Sequence, residues 1–339
     1  MRYLILGGGP AGIAAAKAIR KRDAAGEILL VREETATPYL RPRLADLILE
    51  KATLNDLQDP QGSDLADHGV RTLLGQRAVR VDPRGNRVFF SDGSQEAYDL
   101  LLLATGGRPE VPEALRLRTE AILPFDSLED AFRIHARAYR AQNVLVYGPG
   151  FVGTEACRAL LSPHRKVTWI HPELPRVGFP LSGELAASLR EEIRGRGARV
   201  LDGKDIAAAR IQDHQVVVTV APGGEAIPCD LLIVATERRP LVDHLAGSGV
   251  TVDTGVVVDD YLRTSVPNIY AAGDCAELVD PGSGERRINF GWLSAIKQGR
   301  FAGENMAGGG NRFLPQRDDF FWKIFGPPLA ERFRKGTRG

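Results

Sequence analysis

Two short glycine-rich stretches have the residue types and spacing that bind nucleotide phosphates. "GGGPAG" spans residues 7–12, and "GPGFVGTEA" spans residues 148–156. Both fit G-x-G-x-x-G, whose glycines let the backbone approach a pyrophosphate at a helix N-terminus. Each follows an apolar run and opens a helical pattern, which is the context that a dinucleotide site requires, so we predict two such sites. The glycines are Gly7, Gly9 and Gly12 in the first stretch and Gly148, Gly150 and Gly153 in the second.

The surrounding chain has the length and composition of a globular protein with two or three domains. Its 339 residues exceed what one hydrophobic core usually supports. A formal net charge of +1 gives no overall attraction to nucleic acid. No apolar run approaches the roughly 20 residues of a membrane span, and "MRYLIL" leads into a glycine turn rather than a cleavage site. We therefore expect a cytoplasmic protein with no nucleic-acid partner and no transmembrane segment.

The second glycine stretch belongs to a larger internal repeat. In each half, an apolar strand, the glycine turn and a helix precede another strand and then a hairpin leading into a buried strand. The segments that follow the hairpins, "AYDLLLLATGGRP" (97–109) and "PCDLLIVATERRP" (228–240), align directly. A duplicated plan of this length is stronger evidence than either glycine motif alone.

The cysteines argue against thiol and metal chemistry. Cys157, Cys229 and Cys275 are odd in number, lie far apart and form no C-x-x-C or C-x4-C pair. This pattern disfavours a disulfide framework, a zinc site and a redox-active pair. We interpret all three as small buried residues and predict no metal site.

Further stretches carry a family resemblance. With the glycine motifs, "ATGGRP" after a hairpin strand and "YAAGDCAE" near the end resemble the FAD-dependent pyridine nucleotide-disulfide oxidoreductase superfamily, over about residues 1–326. "EETATPYLRPRLADLI" and "WLSAIKQG" are similar to its non-disulfide branch. That branch contains NAD(P)H-dependent ferredoxin and rubredoxin reductases, apoptosis-inducing factors and the flavin domains of nitrite reductases.

The resemblance implies an α/β fold with two Rossmann-like dinucleotide-binding domains of the three-layer ββα type. The NAD(P)-binding domain, residues 113–245, would be inserted into the FAD-binding domain, whose two parts are residues 1–112 and 246–310. A truncated C-terminal interface segment would follow at residues 311–339. Whether such a shortened segment supports a homodimer stays open.

The resemblance also implies an FAD site whose residues divide by the part of the cofactor that they would meet. Asp274, preceded by Gly273 at a strand end, would bind the ribityl chain, and a helix N-cap role is compatible with this position. The other implied contacts are Gly7, Gly9, Pro10, Ala11 and Gly12 for the pyrophosphate, Glu33 for the ribose, Ala78 for the adenine, Arg41 and Pro42 for the flavin, and Ala104, Thr105 and Gly106 beneath the cofactor.

The second half would hold NAD(P)H, and two residues would act near the reacting atoms. Glu155, on the first helical turn after the second glycine loop, would reach the nicotinamide and the flavin N5 region. Trp292 would stand at the flavin edge. Stabilising a helix N-terminus is the alternative role for Glu155, and core packing is the alternative for Trp292. The implied nucleotide contacts are Gly148, Gly150, Phe151, Val152, Gly153, His171 and Glu237.

The sequence departs from the branch at several positions. Asp46 stands where the branch usually has lysine, and Asp126 replaces a common arginine. Glu237 replaces the glycine of the second A-T-G and adds bulk and negative charge beside the nucleotide. At the position of His171 an acid would favour NADH and a cation NADPH, so a cofactor role and that of an exposed loop histidine both stay open. No cysteine occurs near residue 40, which excludes thiol–disulfide chemistry.

These features predict a flavoprotein that takes a hydride from NAD(P)H onto FAD and passes electrons to a ferredoxin- or rubredoxin-like protein. Positioning would supply most of the catalysis, because stacking the nicotinamide on the flavin makes the transfer effectively intramolecular. One alternative is a type II NADH:quinone reductase, since "FFWKIF" followed by "RFRKGTR" could lie on an anionic membrane surface. Another is a non-catalytic FAD-binding protein with a decayed NAD site, which His171 and Glu237 favour.

Replacing His171 by glutamate should shift the nucleotide preference toward NADH. A neutral histidine can donate one hydrogen bond to a ribose hydroxyl, whereas a protonated one can pair with the 2′-phosphate of NADPH. A charge-assisted phosphate contact is worth roughly 1.5–3 kcal/mol, or about 10- to 150-fold in specificity. The measurement is the ratio of kcat/KM for NADH and NADPH. An unchanged ratio would show that this strand end does not select the nucleotide.

Overall fold

The structure is a computed structural model that describes residues 1–173, 183–236, 238–280 and 283–315. Its helices are α1 (Pro10–Arg22), α2 (Leu44–Ile48), α3 (Leu54–Leu57), α4 (Pro60–Ser63), α5 (Leu128–Ala138), α6 (Gly150–Leu160), α7 (Gly183–Gly195) and α8 (Trp292–Met306). Its earlier strands are β1 (Arg2–Leu6), β2 (Glu27–Arg32), β3 (Val70–Leu74), β4 (Ala78–Asp82), β5 (Arg87–Phe90), β6 (Gln95–Ala97), β7 (Leu100–Leu103) and β8 (Gly107–Pro109). The later strands are β9 (Ile122–Pro124), β10 (Asn143–Tyr147), β11 (Lys166–His171), β12 (Arg199–Asp202), β13 (Asp205–Gln212), β14 (Gln215–Ala221), β15 (Ala226–Cys229), β16 (Leu231–Val234), β17 (Arg238–Pro240), β18 (Val256–Val257), β19 (Ile269–Ala271), β20 (Ala276–Val279) and β21 (Arg286–Ile288).

The first parallel sheet has the strand order β19-β7-β1-β2-β3. Its central strand β1 pairs in parallel with β2 and β7, and β7 pairs in parallel with β19. Residues 3–6 of β1 and 101–103 of β7 are all buried. This explains why these strands have continuous apolar runs rather than alternating sequences, since a parallel sheet is covered on both faces.

Helix α1 follows β1 directly and packs along α8. Gly299 and Gly303 make this contact possible, because a Cβ at either position would overlap the backbone of Ala11 or Ala15 in α1. The first turns of both helices meet at Gly273, where an added Cβ would lie 3.0 Å from the Cβ of Ala11. The segment that contains Gly273 is therefore held against the start of α1.

The second parallel sheet, of order β12-β11-β10-β16-β9, repeats this plan. Strand β10 pairs with β11 and β16 as β1 pairs with β2 and β7, and α6 follows β10 as α1 follows β1. A three-stranded antiparallel sheet precedes the buried strand in each half, β4-β5-β6 before β7 and β13-β14-β15 before β16. The predicted duplication is confirmed.

The second sheet is inserted into the chain of the first. Its strands all fall between β7 and β19, which pair with each other in the first sheet. Strand β8 lies where the chain leaves the first half, and β17 lies where it returns. These two strands pair with each other in antiparallel orientation. The predicted fold class is therefore confirmed. The domain boundaries at residues 112, 245 and 310 stay predictions.

A segment of the first half packs against helices of the second half. Leu44, Ala45 and Ile48 of α2 are buried in a cluster that also contains Ile134 of α5 and Ala156 of α6. Sequence patterns gave no sign of this long-range contact. As a consequence, α2 of the first half packs against α5 and α6 of the second half.

The cysteines lie in the interior. Cys157, Cys229 and Cys275 are all buried and unpaired. Burial raises the pKa of each thiol, so none is held as the reactive thiolate. Their interpretation as small buried residues is confirmed.

The described part of the chain contains no helix that is long and apolar enough to cross a membrane. The predicted interface segment at residues 311–339 is described only as far as residue 315. Its aromatic and basic tail lies outside the described residues, so the role of that tail stays a prediction.

Candidate functional site

A cleft of about 1440 Å³ opens between the two halves of the chain. Pockets for one drug-sized ligand usually measure roughly 300–1,000 Å³, so this cleft has room for more than one such molecule. Most of the predicted site residues line it, namely Gly7, Gly9, Pro10, Ala11, Glu33, Arg41, Pro42, Ala78, Ala104, Thr105, Gly106, Phe151, Val152, Glu155, Gly273, Asp274 and Trp292. Five other predicted residues are not part of the lining, namely Gly12, Gly148, Gly150, Gly153 and His171. Glu237 lies outside the described residues.

The first glycine loop joins β1 to α1. Gly7 has a φ of +114°, and a Cβ there would overlap the carbonyl of Ala104 in the neighbouring chain segment. A Cβ at Gly12 would overlap the carbonyl oxygen of Gly7. At Gly9, by contrast, an added Cβ would meet no atom within 4 Å. Gly7 and Gly12 thus allow close packing, whereas Gly9 borders open space at the helix N-terminus.

The second glycine loop has the same construction. A Cβ at Gly148, which has a φ of +136°, would overlap the carbonyl of Ala235, and one at Gly153 would overlap the carbonyl oxygen of Gly148. The buried Trp169 lies beneath this loop and donates a 2.8 Å hydrogen bond from Nε1 to the carbonyl oxygen of Gly148. Gly150 begins α6 with a φ of +75°. Phe151 and Val152 then extend from the loop into the cleft lining.

The start of α1 fits the FAD pyrophosphate that the resemblance implies. Gly9 is the N-cap, no side chain caps it, and the first turn contains no acidic residue. The backbone N–H groups of the first turn therefore have no competing carboxylate from their own helix. With the open space at Gly9, this is a suitable site for an anionic group.

The motif "WLSAIKQG" positions backbone at the base of the cleft. Trp292 is the first residue of α8, is half-buried and lines the cleft. Gln298, nearly two turns further along, is fully buried, and its Oε1 accepts a 2.8 Å hydrogen bond from the backbone N–H of Gly273. Gln298 therefore helps to fix the backbone immediately before Asp274.

A chain of ion pairs crosses the cleft wall. Arg41 contacts Glu34 at 2.6 Å and Asp126 at 3.4 Å. Asp126 also pairs with Arg238, and Arg238 lies 3.2 Å from Asp274. In the sequence, Asp126 differs from the arginine that is common in the branch. The structure shows that it links cations from the first half and from β17.

Asp274 is the last acid in this series of ion pairs. Burial raises the pKa of its carboxyl, while Arg238 and the backbone N–H of Gly291 act in the opposite direction. The Gly291 N–H donates to Oδ1 at 3.3 Å. Asp274 thus faces the cleft beside a cation, where its carboxylate is available to accept hydrogen bonds from sugar hydroxyls.

Glu155 is also buried and paired. Both of its carboxylate oxygens lie 3.1 Å from Nε of Arg158, and Arg158 also contacts Asp46 at 3.3 Å. Burial raises the pKa of Glu155, and Arg158 opposes that rise. Asp46 stands where the branch usually has a lysine. Glu155 nevertheless has a cationic partner, because Arg158 lies beside it on the same helix.

His171 ends β11 near two charged groups. Its Nδ1 is 3.4 Å from a carboxylate oxygen of Asp202, which also contacts Arg190 at 3.1 Å. The His171 ring packs edge-on against Trp169, with 5.1 Å between the ring centroids. The described surroundings of His171 thus contain both an acid and a cation, so they do not by themselves choose between NADH and NADPH.

Several residues of this site escaped the sequence analysis. Arg238 reaches Asp274 only through the folding of the chain, whereas Arg158 lies three residues after Glu155 on the same helix. Tyr39 accepts a 3.1 Å hydrogen bond from the Leu128 backbone and so joins the first half to α5. The i,i+3 spacing of Glu155 and Arg158 was the one local signal that could have been used.

Comparison with known proteins identifies relatives of this chain. A family model described as "Pyridine nucleotide-disulphide oxidoreductase" matches residues 1–299. The rubredoxin-NAD(+) reductase of Pseudomonas putida is 31% identical over 278 residues, which cover 81% of this chain and 72% of that protein. The ferredoxin--NAD(+) reductase component of the p-cumate 2,3-dioxygenase system of Pseudomonas putida is 28% identical over 96% of this chain and 79% of its own.

The fold has solved counterparts as well. The crystal structure of the ferredoxin reductase for the CYP199A2 system from Rhodopseudomonas palustris superimposes with a TM-score of 0.83. The two sequences are 26% identical, and the match covers 92% of this chain and 77% of that one. The similarity therefore extends over both halves of the fold described above.

Replacing Arg158 by methionine should destabilise the protein more at about pH 8 than at about pH 5. Without this cation the pKa of Glu155 rises further, so ionising Glu155 costs the folded state more than the unfolded chain. Because the pKa of Glu155 is already raised in the unaltered protein, the additional loss should grow as pH rises through that raised pKa and level off above the still higher pKa of the variant. We expect about 1–3 kcal/mol at the higher pH, less than for a fully buried pair because Arg158 is 25% exposed.

Urea unfolding at both pH values measures this effect. The matched control is the double variant Glu155→Gln with Arg158→Met, in which the carboxyl of Glu155 is absent, so the part of the pH dependence that comes from Glu155 should disappear while Asp46 is still present. Equal destabilisation of the single variant at both pH values would mean that Arg158 does not control the ionisation of Glu155.

Proposed function

Because the chain belongs to the pyridine nucleotide-disulphide oxidoreductase family, we propose that it carries electrons from NAD(P)H through FAD to a small iron-containing electron carrier of the ferredoxin or rubredoxin class. The chain is an oxidoreductase that uses FAD and NAD(P)H. We propose, in addition, which electron acceptor it reduces and what its individual site residues do.

One observation carries the proposal. Two residues within the second glycine motif, Phe151 and Val152, line the same cleft as Gly7 and Gly9 of the first loop. Two nucleotides bound at these loops would therefore extend into one common space. That arrangement suits direct transfer between them, because it removes the entropic cost of bringing two reactants together.

The first half would hold the FAD. Gly9 and the start of α1 would receive the pyrophosphate, and Asp274 would accept hydrogen bonds from the sugar-like chain. When bound, FAD supplies the chemistry that accepts a hydride and releases electrons singly. Glu33 would have to share its carboxylate between the ribose and Arg108, with which it forms a 2.8 Å ion pair.

The second half would hold the nicotinamide nucleotide. The loop from Gly148 to Gly153 would receive its pyrophosphate, and Phe151 would exclude water from the space between the two ligands. Glu155 would act as a positioning residue for the nicotinamide end. Its pairing with Arg158 supports this role, since the pair fixes the direction of the carboxylate.

The names of the relatives support the class of acceptor. Two of them are called reductases of rubredoxin and of ferredoxin, and they match most of this chain. An electron relay through a cysteine pair of this chain has no support, because each of the three cysteines is buried and unpaired. A quinone remains the competing acceptor, and the assay below includes it.

Steady-state reduction of a panel of acceptors tests the proposal. With NADH or NADPH as donor, we expect kcat/KM for a ferredoxin or a rubredoxin to exceed that for a water-soluble quinone by about 10-fold or more, a difference of about 1.4 kcal/mol in the barrier. Ferricyanide, which takes electrons from most reduced flavins, is the control for the first half of the reaction. The proposed acceptor would be contradicted if the protein reduced ferricyanide but neither a ferredoxin nor a rubredoxin. A higher kcat/KM for the quinone would also contradict it.

A further inference from the structure

The cleft wall contains a buried cation that the function proposed above does not use. Arg32 is the last residue of β2, lines the cleft and is only 7% exposed. Burial of this guanidinium lowers its pKa, while the nearby Glu34 acts in the opposite direction. A buried charge without a counter-charge is costly, so the surroundings of Arg32 need an explanation.

No described carboxylate lies within ion-pair distance of Arg32. Its Nη2 donates a 2.6 Å hydrogen bond to the carbonyl oxygen of Ala36. The two acids that follow it in the chain are held by other residues. Glu33 pairs with Arg108 at 2.8 Å, and Glu34 pairs with Arg41 at 2.6 Å and accepts a hydrogen bond from a tyrosine. The charge of Arg32 is therefore left for a ligand to balance.

The position of Arg32 indicates which ligand group would do so. A Cβ added to Gly8 would overlap Cγ and Cδ of Arg32 and would lie 2.6 Å from its Nε. Gly8 is the middle residue of the first glycine loop, immediately before the N-cap Gly9 of α1. The Arg32 side chain thus runs along the loop, next to a helix N-terminus that has no acidic residue in its first turn.

We propose that Arg32 binds the pyrophosphate of FAD together with the N-terminus of α1. The ribose is uncharged and could not balance a buried guanidinium, whereas the pyrophosphate carries negative charge where the dipole of α1 favours it. The planar donors of arginine also match the oxygens of a phosphate group. The inference rests on the proposed position of FAD at the first glycine loop.

The same contact gives Gly8 a specific role. Gly8 has no side chain at the point where the stem of Arg32 crosses the loop, so Gly8 and Arg32 act as a pair. A methyl group at position 8 would displace the stem of Arg32. In the second half, the residue at the corresponding strand end, the last of β11, is His171 rather than an arginine.

Ligand binding by the apoprotein tests this inference without any assay of turnover. The probes are FAD, followed by flavin fluorescence, and ADP and adenosine as competitors. For Arg32→Met we expect Kd to rise by about 10- to 100-fold for FAD and ADP, which carry the pyrophosphate, and to stay within about twofold for adenosine. Arg32→Lys should recover part of the loss, because it keeps a charge but not the paired donors.

Arg71→Met is the matched control. Arg71 lies on the adjacent strand β3, its side chain is 72% exposed, and it pairs with Glu96 away from the cleft. The Arg71→Met variant should bind FAD, ADP and adenosine with the same Kd values as the unaltered protein. Thermal unfolding of each apoprotein reports whether the fold is intact.

The outcomes separate this inference from the proposed function. An equal loss of affinity for ADP and adenosine in Arg32→Met, or unchanged affinity for ADP, would overturn the role of Arg32 while FAD binding by the unaltered protein stands. Failure of the unaltered protein to bind FAD at all would overturn both.

Discussion

Asp126 and the two arginines that hold it connect the two halves of this protein. Arg41 comes from the first half, and Arg238 comes from the strand by which the chain returns to it. The same Arg238 continues to Asp274 at the base of the cleft. Because the cleft is formed by both halves, its shape depends on their fixed relation. This ion-pair chain is one polar contact that maintains it, and the buried face of α2 is the apolar one.

The glycine loops of the two halves have the same backbone packing, but the halves differ at the end of the second strand. In each glycine loop, one glycine allows the loop to cross a neighbouring carbonyl, and another allows the helix to start close to the loop. These requirements are steric and independent of the nucleotide. The last residue of the second strand differs between the halves: Arg32 lies along the first loop, whereas His171 lies near Asp202, which also contacts Arg190. One duplicated fold thus carries two chemically different sites.

Local patterns predicted much of this architecture. The apolar strands, the glycine turns and the repeat were readable because each depends on neighbouring residues or on a period within the sequence. The packing of Leu44 and Ala45 against the second half was not readable, since contact between distant segments leaves no local signal. The contact of Arg158 with Asp46 likewise joins distant segments, whereas its pair with Glu155 at i,i+3 was visible in the sequence. The roles assigned to individual site residues stay predictions, and Glu237 lies outside the described residues.

The central claim is that two nucleotides bound at the two loops react directly within one cleft. Anaerobic stopped-flow mixing of the FAD-loaded protein with NADH or NADPH, deuterated or not at the transferred position of C4, tests it most directly. The account predicts rapid loss of the oxidised flavin absorbance without any added acceptor, and a slower loss with the deuterated nucleotide. A flavin that stays oxidised with both nucleotides, although at least one of them binds tightly, would show that the two ligands do not react within one cleft.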